Sequence, residues 1–525
     1  MAMRSLVATL SVLALLAPGL AGADAGPGPG EGLLWGPDGR LTNATGDDDL
    51  PALAVGPDGD SHLLWARGDR IYYARAGPSG GPAAPEKEVA TGSVPLRPDG
   101  QGAERAGVDE NGDFHFIWTE GGSPWYRRLE GAEGRAIAPV ALDPQGKGHS
   151  SAGLAVARGG RPYFCFLTGN GTAEMAYLDG SLVLRPGFEV SACAASVTIA
   201  LDPWDRPHLL WSCPANGTMG LCAFGTEGEL LLPPRYFPPA VAVTEDTPLP
   251  AMAFTPDGVL HLLQAGAGAG RRELFYTRLG VDGSLLGPHL RVETQAGDAG
   301  DLCSDGRDNV FLAWGNDFDA DLYYAIARPG DGPVSPVRLT DALDRDRDPR
   351  IAPDPQGGLR VAWVSGRDGN DEIYWKQALI ARVELRLPDA GAARLSGAMA
   401  NATRTANLTM RNAGAGPDVY NLSLEADLRG MEGGLGEGYT GPGWKVWLEG
   451  DWSAAQLGPG DVARPGLAVR APGAGAPGEF ICVTARAVSA LEPLVQDELS
   501  FRVHFTADRG LEVLVDGSAR TSRDG

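Results

Sequence analysis

Two short runs of alternating aspartates are the residues of this 525-residue chain best suited to holding a metal ion. One run consists of Asp344, Asp346 and Asp348, and the other of Asp317, Asp319 and Asp321. In an extended segment, side chains two positions apart point to the same side, and calcium takes roughly six to eight oxygen ligands. Either run could therefore seed a calcium site. Arg345 and Arg347 interrupt the first run, and neither run has the Gly and distal Glu of an EF-hand loop, so a solvated turn is the alternative interpretation.

The histidines point to structure rather than to chemistry. Four of them share one position of an internal repeat, three residues before a recurring aromatic site: His62, His115, His208 and His261. A residue fixed by a repeat usually packs or hydrogen-bonds within its own unit, so we interpret these four as structural. His149, His289 and His504 are isolated, and no phosphate-binding loop stands out. The sequence therefore predicts no catalytic residue, and no cofactor apart from the calcium considered above.

An internal repeat is the strongest signal in the chain. Each unit has an apolar strand, an Asp- and Gly-rich turn, a strand ending in an aromatic residue, a polar turn, and a strand with paired aromatics. The recurring anchor position is occupied by Trp65, Trp118, Phe166, Trp211, Gln264, Trp314 and Trp363. The steps of 45 to 53 residues match a four-stranded blade, and no 3.6-residue period supports a helical repeat. The chain is therefore predicted to be all-β, with a seven-bladed β-propeller over residues 26–380.

The N-terminal segment is predicted to close this ring. Arg40-Leu-Thr42 followed by Pro51 matches Arg338-Leu-Thr340 followed by Pro349, and the offset of 298 residues is also the offset between the anchors Trp65 and Trp363. The last unit runs into a different domain after its third strand. Residues 32–42 are therefore expected to form its fourth strand, which would remove an exposed sheet edge.

The repeat also carries a family resemblance. The D-x-x-G turn, apolar strand, Trp, turn and E-I-Y-Y pattern, as at Glu372-Ile-Tyr-Trp375, resembles exported prokaryotic sialidase-like (BNR/kelch-like) β-propeller repeats over roughly residues 32–380. A sialidase would need an arginine cluster, a Tyr activated by Glu, and an acid/base Asp. The typical F/Y-R-I-P string and S-x-D-x-G-x-x-W box are absent, and Asp348-Pro-Arg-Ile351 only scrambles the first of them. The resemblance implies the fold, whereas propellers host many activities.

A second domain is expected from residue 381 to residue 508. The strings N-L-T-M-R-N-A-G, G-W-K-V, L-x-P-G-D and V-R-A-P…G-E-F resemble CARDB-type and alpha-galactosidase-associated immunoglobulin-like domains. About seven alternating strands are the size of a β-sandwich. The resemblance implies a module that spaces, docks or adheres without catalytic residues. Residues 509–525 are interpreted as a polar tail.

The chain ends and the charge indicate an exported protein. Arg4, the apolar run from Leu6 to Leu16 and the small residues up to Ala25 are typical of a cleaved signal peptide over residues 1–25, with an uncleaved anchor as the alternative. No later stretch is long enough to span a bilayer, so no transmembrane segment is expected in the mature chain. The net charge of −23 argues against nucleic acid as a partner. The expected location is the cell surface or the medium.

Sequons and cysteines fit that location. The sequons are at Asn43, Asn170, Asn216, Asn401, Asn407 and Asn421, and they favour a surface glycoprotein, with coincidence as the alternative. Cys213 and Cys222 flank a short loop between two predicted strands, so they could form a disulfide across a hairpin, with two unbridged thiols as the alternative. Cys165, Cys193, Cys303 and Cys482 cannot be paired from the sequence.

These observations predict a recognition or scaffold protein without catalysis. A propeller face would bind glycan or a cell-envelope protein, and the second domain would act as a spacer. The alternative function is a glycan-active hydrolase or lyase whose catalytic residues are dispersed over several blades and meet only in space.

Overall fold

The structure is a computed structural model, and nearly all of its described secondary structure is β-strand. It describes residues 31–77, 85–93, 105–131, 133–191, 193–244, 250–267, 272–297, 300–305, 309–327, 332–333, 336–355, 358–387, 394–395, 403–414, 416–427, 439–440, 444–470, 480–491, 495–505 and 511–515. Within these residues the helical content is one three-residue 3₁₀ turn, Pro214–Asn216, so the predicted all-β class is confirmed. None of their helices could cross a membrane. The predicted signal peptide, Asn401 and residues 516–525 lie outside the described residues.

The N-terminal part consists of two short strands followed by seven antiparallel sheets in chain order. The strands that open the chain are β1 (Glu31–Trp35) and β2 (Gly39–Arg40). Sheet 1 contains β3 (Asp49–Val55), β4 (Ser61–Arg67), β5 (Arg70–Ala76) and β6 (Lys87–Thr91). Sheet 2 contains β7 (Ala106–Val108), β8 (Phe114–Glu120), β9 (Ser123–Glu130), β10 (Arg135–Ala136) and β11 (Val140–Ala141). Sheet 3 contains β12 (Ser150–Val156), β13 (Pro162–Leu167), β14 (Ala173–Leu178) and β15 (Leu184–Ser191).

The remaining four of these sheets follow the same plan. Sheet 4 contains β16 (Ser196–Leu201), β17 (Pro207–Cys213), β18 (Thr218–Phe224) and β19 (Leu230–Phe237). Sheet 5 contains β20 (Ala251–Phe254), β21 (Leu260–Ala267), β22 (Arg272–Leu279) and β23 (Leu290–Glu293). Sheet 6 contains β24 (Asp301–Ser304), β25 (Val310–Gly315), β26 (Leu322–Ala327) and β27 (Val337–Arg338). Sheet 7 contains β28 (Asp346–Asp354), β29 (Gly358–Ser365) and β30 (Glu372–Arg386), and β1 and β2 also pair with β30.

The first strands of the seven sheets contact one another in cyclic order. β3 contacts β7, and the contacts continue through β12, β16, β20, β24 and β28 back to β3. Burial follows this arrangement, because the second strand β17 is buried along its whole length whereas most of the outer strand β19 is at least partly exposed. The sheets are thus arranged radially around a centre, and this part of the chain has the β-propeller fold.

Each sheet of this kind has two distinct edges. In an antiparallel meander, the turn after the first strand and the loop after the second strand lie at opposite ends of the sheet. The turn edge contains residues 56–60, 109–113, 157–161, 202–206 and 255–259. The loop edge contains residues 68–69, 121–122, 168–172, 214–217, 316–321 and 366–371, together with the connections between successive sheets.

The anchor residues fill the core between neighbouring sheets. Trp65, Trp118, Trp211, Trp314 and Trp363 are among the largest fully buried or nearly fully buried side chains. Trp65 packs in a cluster with Val364 and Ile373 of sheet 7, so it joins the first sheet to the last. Gln264 takes the anchor position in sheet 5 and is also buried, where its Oε1 accepts a hydrogen bond from the Ala240 backbone at 3.2 Å.

The N-terminal strands complete sheet 7, as the 298-residue offset predicts. β1 pairs antiparallel with β30 from Glu31 opposite Arg382 to Trp35 opposite Ala378, and β2 continues with Arg40 opposite Tyr374. Without these strands, the third strand of sheet 7 would expose a row of unpaired backbone groups. The chain ends of the propeller are therefore joined by backbone hydrogen bonds.

A buried carboxylate fixes this N-terminal segment. The Glu372 side chain is fully buried and accepts hydrogen bonds from Arg40 at 2.8 Å and from the Thr42 hydroxyl at 2.5 Å. The backbone N–H groups of Leu41 and Thr42 donate to the Ile373 carbonyl, and the Ile373 N–H donates to the Thr42 hydroxyl. The Arg40-Leu-Thr42 segment thus pairs with the carboxylate of Glu372 and with the backbone of Ile373.

Sheet 6 makes the same contacts within its own chain segment. Arg338 pairs with the buried carboxylate of Asp321, and the Thr340 hydroxyl accepts a hydrogen bond from the Leu322 backbone at 3.0 Å. The Leu339 N–H donates to the Leu322 carbonyl at 2.7 Å. Both copies of the Arg-Leu-Thr motif therefore pair with a buried carboxylate and with the backbone of a neighbouring strand. The strand that the N-terminal copy contacts is more than 300 residues away in the sequence.

The C-terminal part forms further antiparallel sheets around one hydrophobic core. Its strands are β31 (Arg394–Leu395), β32 (Thr403–Asn407), β33 (Thr409–Asn412), β34 (Asp418–Asp427), β35 (Tyr439–Thr440), β36 (Lys445–Glu449), β37 (Ala455–Leu457), β38 (Val462–Ala463), β39 (Gly466–Arg470), β40 (Phe480–Ser489), β41 (Gln496–Phe505) and β42 (Leu511–Val515). The sheet orders are β31-β42-β41-β40-β34-β37 and β32-β39-β36-β35, and β30 continues through β33 to β38. Tyr420, Trp444 and Phe501 are buried in the shared core.

Two expected boundaries differ in the structure. The division at residue 380 falls inside β30, because this single strand pairs with β29 and β1 at one end and with β33 at the other. Part of the expected polar tail is also a strand, since Leu511–Val515 pairs with β41. The Leu-Glu-Val-Leu-Val string at residues 511–515 contains residues that favour strands. The polar residues around it are the reason that the sequence predicted a tail there.

The Glu372 contacts predict a large loss of stability when the carboxylate is removed. Glu372→Ala leaves a buried hydroxyl and part of a guanidinium without their acceptor, which costs about 3 kcal/mol. Glu88→Ala is the matched control, because Glu88 forms an exposed ion pair with Arg70, and water screens such pairs so that they contribute little to stability. Urea unfolding followed by tryptophan fluorescence measures both changes. Equal effects of the two substitutions would contradict the proposed role of Glu372.

Candidate functional site

The inner strands of the seven sheets surround a cavity of about 440 Å³. Its lining comprises residues 52–55, 105, 106, 108, 154–156, 199–201, 252–254, 301–304 and 350–353. Cavities of roughly 300–1,000 Å³ are the size of small-ligand sites. Because every sheet contributes a strand to the wall, the central cavity is where residues distant in sequence come together.

Three charged side chains in the cavity lining connect neighbouring sheets. Arg105 donates to the Leu50 carbonyl at 2.8 Å, and Arg350 donates to the Pro51 carbonyl at 3.2 Å. Asp301 accepts a hydrogen bond from the Ile351 N–H at 3.0 Å. These contacts join sheets 1, 2, 6 and 7, so the charged groups have a structural role in holding the ring together.

The rest of the described lining is poor in groups that could catalyse a reaction. Val55, Leu201, Phe254 and Pro353 are typical of its apolar walls. Asp301 is the one carboxylate of this lining, which contains no Tyr or His. Glycoside hydrolysis generally needs a pair of carboxylates, and the described cavity wall does not assemble such a pair.

A tryptophan on the turn edge has a largely exposed side chain. Trp204 is 56% exposed and follows Leu201, which lines the cavity, by three residues. The Arg206 guanidinium lies 4.6 Å from the centre of the indole ring. At Gly258 in the next sheet, a Cβ atom would come within 3.3 Å of the indole, so the absence of a side chain there lets the ring lie across the neighbouring turn.

The turn that carries Trp204 is held in place by a buried carboxylate. Asp202 accepts hydrogen bonds from the Trp204 N–H at 2.9 Å, from Arg206 at 2.6 Å and from His208 at 3.2 Å. Burial acts to raise the pKa of Asp202, but these hydrogen bonds outweigh it and lower the pKa. Arg158 of sheet 3 donates to the Pro203 carbonyl at 2.9 Å. The indole is therefore presented from a fixed turn that directly follows the cavity-lining strand β16.

The sequence did contain a signal for Trp204 that the repeat analysis missed. The matching turn residues in other sheets are small or polar, as in Asp58, Asn111, Gly159 and Asp257. A tryptophan at such a position departs from the repeat and is costly to expose to water. The repeat is defined by what the units share, whereas this residue is informative because it differs.

The two acidic runs do not bring their carboxylates together. Asp348 has a φ of 52°, so the first run is not the continuous extended segment that would align its side chains. Asp346 pairs with Arg367 at 2.9 Å, and Asp348 pairs with its neighbour Arg347 at 2.6 Å. Asp344 is exposed. The partner of Asp346 lies on the loop between β29 and β30, whereas the partner of Asp348 is the adjacent residue of the run, so the carboxylates are neutralised one by one.

The second run is distributed in the same way. Asp321 is buried against Arg338, Asp317 pairs with Arg345 at 3.3 Å, and Asp319 accepts a hydrogen bond from the Tyr323 hydroxyl at 2.7 Å. Burial raises the pKa of Asp321 despite its arginine. Across the described residues, no three Asp, Glu, His or Cys side chains form a group that could hold a metal ion. The expected calcium sites are not assembled there.

The repeated histidines are structural, as the sequence predicts. All four are buried, and three hydrogen-bond to a tyrosine on the next strand: His62 to Tyr73, His115 to Tyr126 and His261 to Tyr276. Burial lowers the pKa of His62 and of His261 to about 4. Burial opposes the ionised form of Asp109, but hydrogen bonds from His115 and the backbone lower its pKa to about 2.

The predicted Cys213–Cys222 disulfide is wrong, and the bridge joins Cys193 to Cys213. In the register of β17 and β18, Cys213 lies opposite Thr218 and Cys222 lies opposite Leu209, too far along the strands to meet. Cys193 instead precedes β16, whose start lies beside the end of β17. Cys222 is buried, and burial raises the pKa of its thiol to about 12. Strand register, which the sequence did not reveal, decides the pairing.

The sequons within the described residues lie on the surface. The exposed asparagines are Asn43, Asn170, Asn216, Asn407 and Asn421. The three in the propeller lie on the loop edge: Asn43 before β3, Asn170 between β13 and β14, and Asn216 between β17 and β18. The turn edge, which carries Trp204, has no sequon among its residues.

Comparisons with known proteins found similar solved structures of low sequence identity. No protein-family model and no curated protein matches the chain. Similar solved structures include polysaccharide lyase Uly1, with 10% sequence identity, a TM-score of 0.41 and coverage of 64% of this chain and 91% of that chain. The Dos1 propeller has 9% identity, a TM-score of 0.41 and coverage of 66% and 94%. BP39L lectin from Burkholderia pseudomallei has 13% identity, a TM-score of 0.42 and coverage of 61% and 97%.

The buried histidines predict a loss of stability in mild acid. The pKa of folded His62 is about 4, whereas that of an unfolded histidine is about 6.5. The contribution of the neutral His62 to the free energy of unfolding is therefore complete above pH 6.5, and it falls between pH 6.5 and 4 because the unfolded chain binds the proton first. Replacing His62 and Tyr73 together by Phe should reduce the acid-dependent fall in the free energy of unfolding by about 3 kcal/mol. Urea unfolding at a series of pH values measures this change. Tyr73→Phe alone, which keeps the histidine, is the control. Parallel pH profiles for all three proteins would refute the assignment.

The Cys193–Cys213 bridge predicts a specific pattern of cross-linked peptides. Mass spectrometry of the non-reduced digest should find Cys193 joined to Cys213. Replacing both residues by Ala should destabilise the protein by about 3 kcal/mol, because the bridge spans 20 residues of chain. Cys222→Ala is the control and should leave the bridge intact. A peptide joining Cys213 to Cys222 would contradict the structure.

Proposed function

We propose that this chain is a secreted or cell-surface recognition protein that binds glycan at the turn edge of a seven-bladed propeller. In this proposal the N-terminal strands complete the last blade, and the C-terminal sheets form an immunoglobulin-like sandwich that acts as a spacer. The observation that carries the binding site is Trp204, which is 56% exposed on the turn that follows the cavity-lining strand β16.

The chemistry around Trp204 suits a sugar ring. An exposed indole offers a flat apolar surface on which the apolar face of a pyranose can stack, and rigid aromatic side chains lose little conformational entropy on binding. Arg158, Arg206, Asp205 and Asp257 lie on the same and neighbouring turns and can exchange hydrogen bonds with hydroxyl groups. An aromatic platform with polar groups beside it gives both affinity and orientation.

The distribution of sequons supports the choice of edge. If Asn43, Asn170 and Asn216 carry N-glycans, these bulky groups occupy the loop edge of the propeller. The turn edge then stays accessible to a ligand. The proposed location at the cell surface is consistent with the sequons and with the Cys193–Cys213 disulfide, because disulfides persist in oxidising compartments.

The continuous strand β30 supports the role of the C-terminal sheets as a spacer. It runs from the last propeller sheet into the C-terminal core without an intervening loop, and Leu34 of β1 packs against that core. The Leu385 N–H donates to Asp497 at 2.6 Å. A junction built from a shared strand holds the turn edge in a fixed orientation relative to whatever the C-terminal part contacts.

The alternative, a glycan-active hydrolase or lyase, has no comparable observation in its favour. The described cavity wall contains a single carboxylate, and Asp301 uses both of its oxygens to bind backbone N–H groups of Leu302 and Ile351. The same binding experiment that tests the recognition function also tests the alternative, provided that product formation is followed.

The proposal predicts that Trp204 is required for glycan binding. On a glycan array, Trp204→Ala should weaken binding at least about tenfold, because a stacked aromatic is typically a dominant contact. Phe318→Ala is the matched control, since Phe318 is 78% exposed on the loop edge, and it should bind like the unmodified chain. Both variants replace exposed side chains and should keep the melting temperature.

Each result of this experiment has a definite meaning. Binding without product supports a recognition protein, and release of a shorter or unsaturated sugar would establish the enzymatic alternative. Equal binding by Trp204→Ala and the unmodified chain would place the site elsewhere. No binding to any glycan on the array would refute the proposed ligand class.

A further inference from the structure

Two apolar side chains are exposed on neighbouring loops of the loop edge, which is opposite to the edge that carries Trp204. Phe318 is 78% exposed, and Leu343 is fully exposed to solvent. Phe318 lies in the loop between β25 and β26, and Leu343 lies in the connection from β27 to β28. The Asp317–Arg345 ion pair at 3.3 Å joins the two loops, as does a hydrogen bond from the Asp346 N–H to the Ala320 carbonyl at 2.8 Å.

The loop that carries Phe318 is held rigidly in this exposed position. The Phe318 N–H donates to the Asn316 side chain at 2.7 Å, and Asn316 in turn donates to Glu293 at 3.2 Å. The Asp317 N–H donates to the Gln295 carbonyl at 3.0 Å. Phe318 therefore stays exposed to solvent, although several hydrogen bonds fix the backbone that carries it.

Backbone strain at the base of this loop supports the same conclusion. Ala320 has a φ of 62°, a conformation that favours glycine and is unfavourable for an alanine. Strained residues of this kind persist where the surrounding structure fixes them, and they cluster at functional sites. At Ala320 the strain accompanies the turn that directs Phe318 outward.

The charges around the two apolar residues define the partner that would fit. Loops 316–320 and 341–345 carry four carboxylates, those of Asp317, Asp319, Asp341 and Asp344, against the single cation of Arg345. Asp341 and Asp344 are exposed. An apolar pair with an acidic rim complements a surface with an apolar side chain flanked by lysine or arginine, and such charge complementarity provides specificity.

We propose that Phe318 and Leu343, with the carboxylates around them, form a docking surface for a protein segment that presents an apolar residue flanked by basic residues. The hydrogen-bonded loop keeps the entropic cost of binding low, because the backbone that carries Phe318 is already fixed. This surface is separate from Trp204, so the chain would join a glycan on one edge to a protein on the other. The acidic rim adds long-range attraction that salt screens.

A phage-displayed library of random 12-residue peptides, panned on the full chain in low salt, tests this proposal. Enriched peptides should combine a large apolar residue with a net positive charge. A synthetic copy of an enriched peptide should bind Phe318→Ala/Leu343→Ala at least about tenfold more weakly than the unmodified chain. Asp341→Asn/Asp344→Asn should weaken binding less and reduce its dependence on salt.

Controls separate this surface from the glycan site and from misfolding. Trp204→Ala should bind the peptide normally, and all variants should keep the melting temperature because only exposed side chains change. The proposal is overturned if no such peptide is enriched, if enriched peptides are neutral or acidic, or if Phe318→Ala/Leu343→Ala binds them normally. Sedimentation of the chain alone checks for a dimer that this variant abolishes, which would assign the surface to self-association instead.

Discussion

The closure of sheet 7 by the N-terminal strands is the constraint on which the other features depend. A ring of sheets leaves the last one with an edge strand whose backbone groups need partners, and β1 and β2 provide them along β30. Glu372 reinforces this closure because it is buried with Arg40 and Thr42. Once the ring is closed, the inner strands stay in contact around the cavity, and β30 carries the C-terminal core in a fixed position.

The two residues at the centre of the proposed binding surfaces, Trp204 and Phe318, lie where the repeat is broken. The anchors, the buried histidines and the Arg-Leu-Thr contacts recur because each sheet must pack on the next, so they report stability. Trp204 and Phe318 do not recur, and each is exposed on a turn or loop that hydrogen bonds hold in place. Exposure of a large aromatic residue on a hydrogen-bonded loop is the physical basis of both proposals.

Much of the fold was predictable from sequence, and much of the site was not. The anchor spacing, the 298-residue offset and the structural role of the histidines rest on patterns that persist along the chain. The disulfide was mispredicted because Cys213 and Cys222 are near in sequence but offset in register, whereas Cys193 is close only after β16 and β17 pair. The acidic runs were matched by Arg338 and Arg367, which lie on other segments.

The sequence by itself determined the all-β class, the repeated unit and the return of the N-terminal segment to the last unit, because local pattern and internal repetition encode strand pairing and burial. Only the tertiary structure decided which side chains meet: which cysteines bond, which arginines neutralise which carboxylates, and which residues line the cavity. These contacts join sheets that are tens to hundreds of residues apart, as between Arg347 and Asp49. Residue spacing along the chain does not predict these contacts, because they form only between sheets that the closed ring brings together.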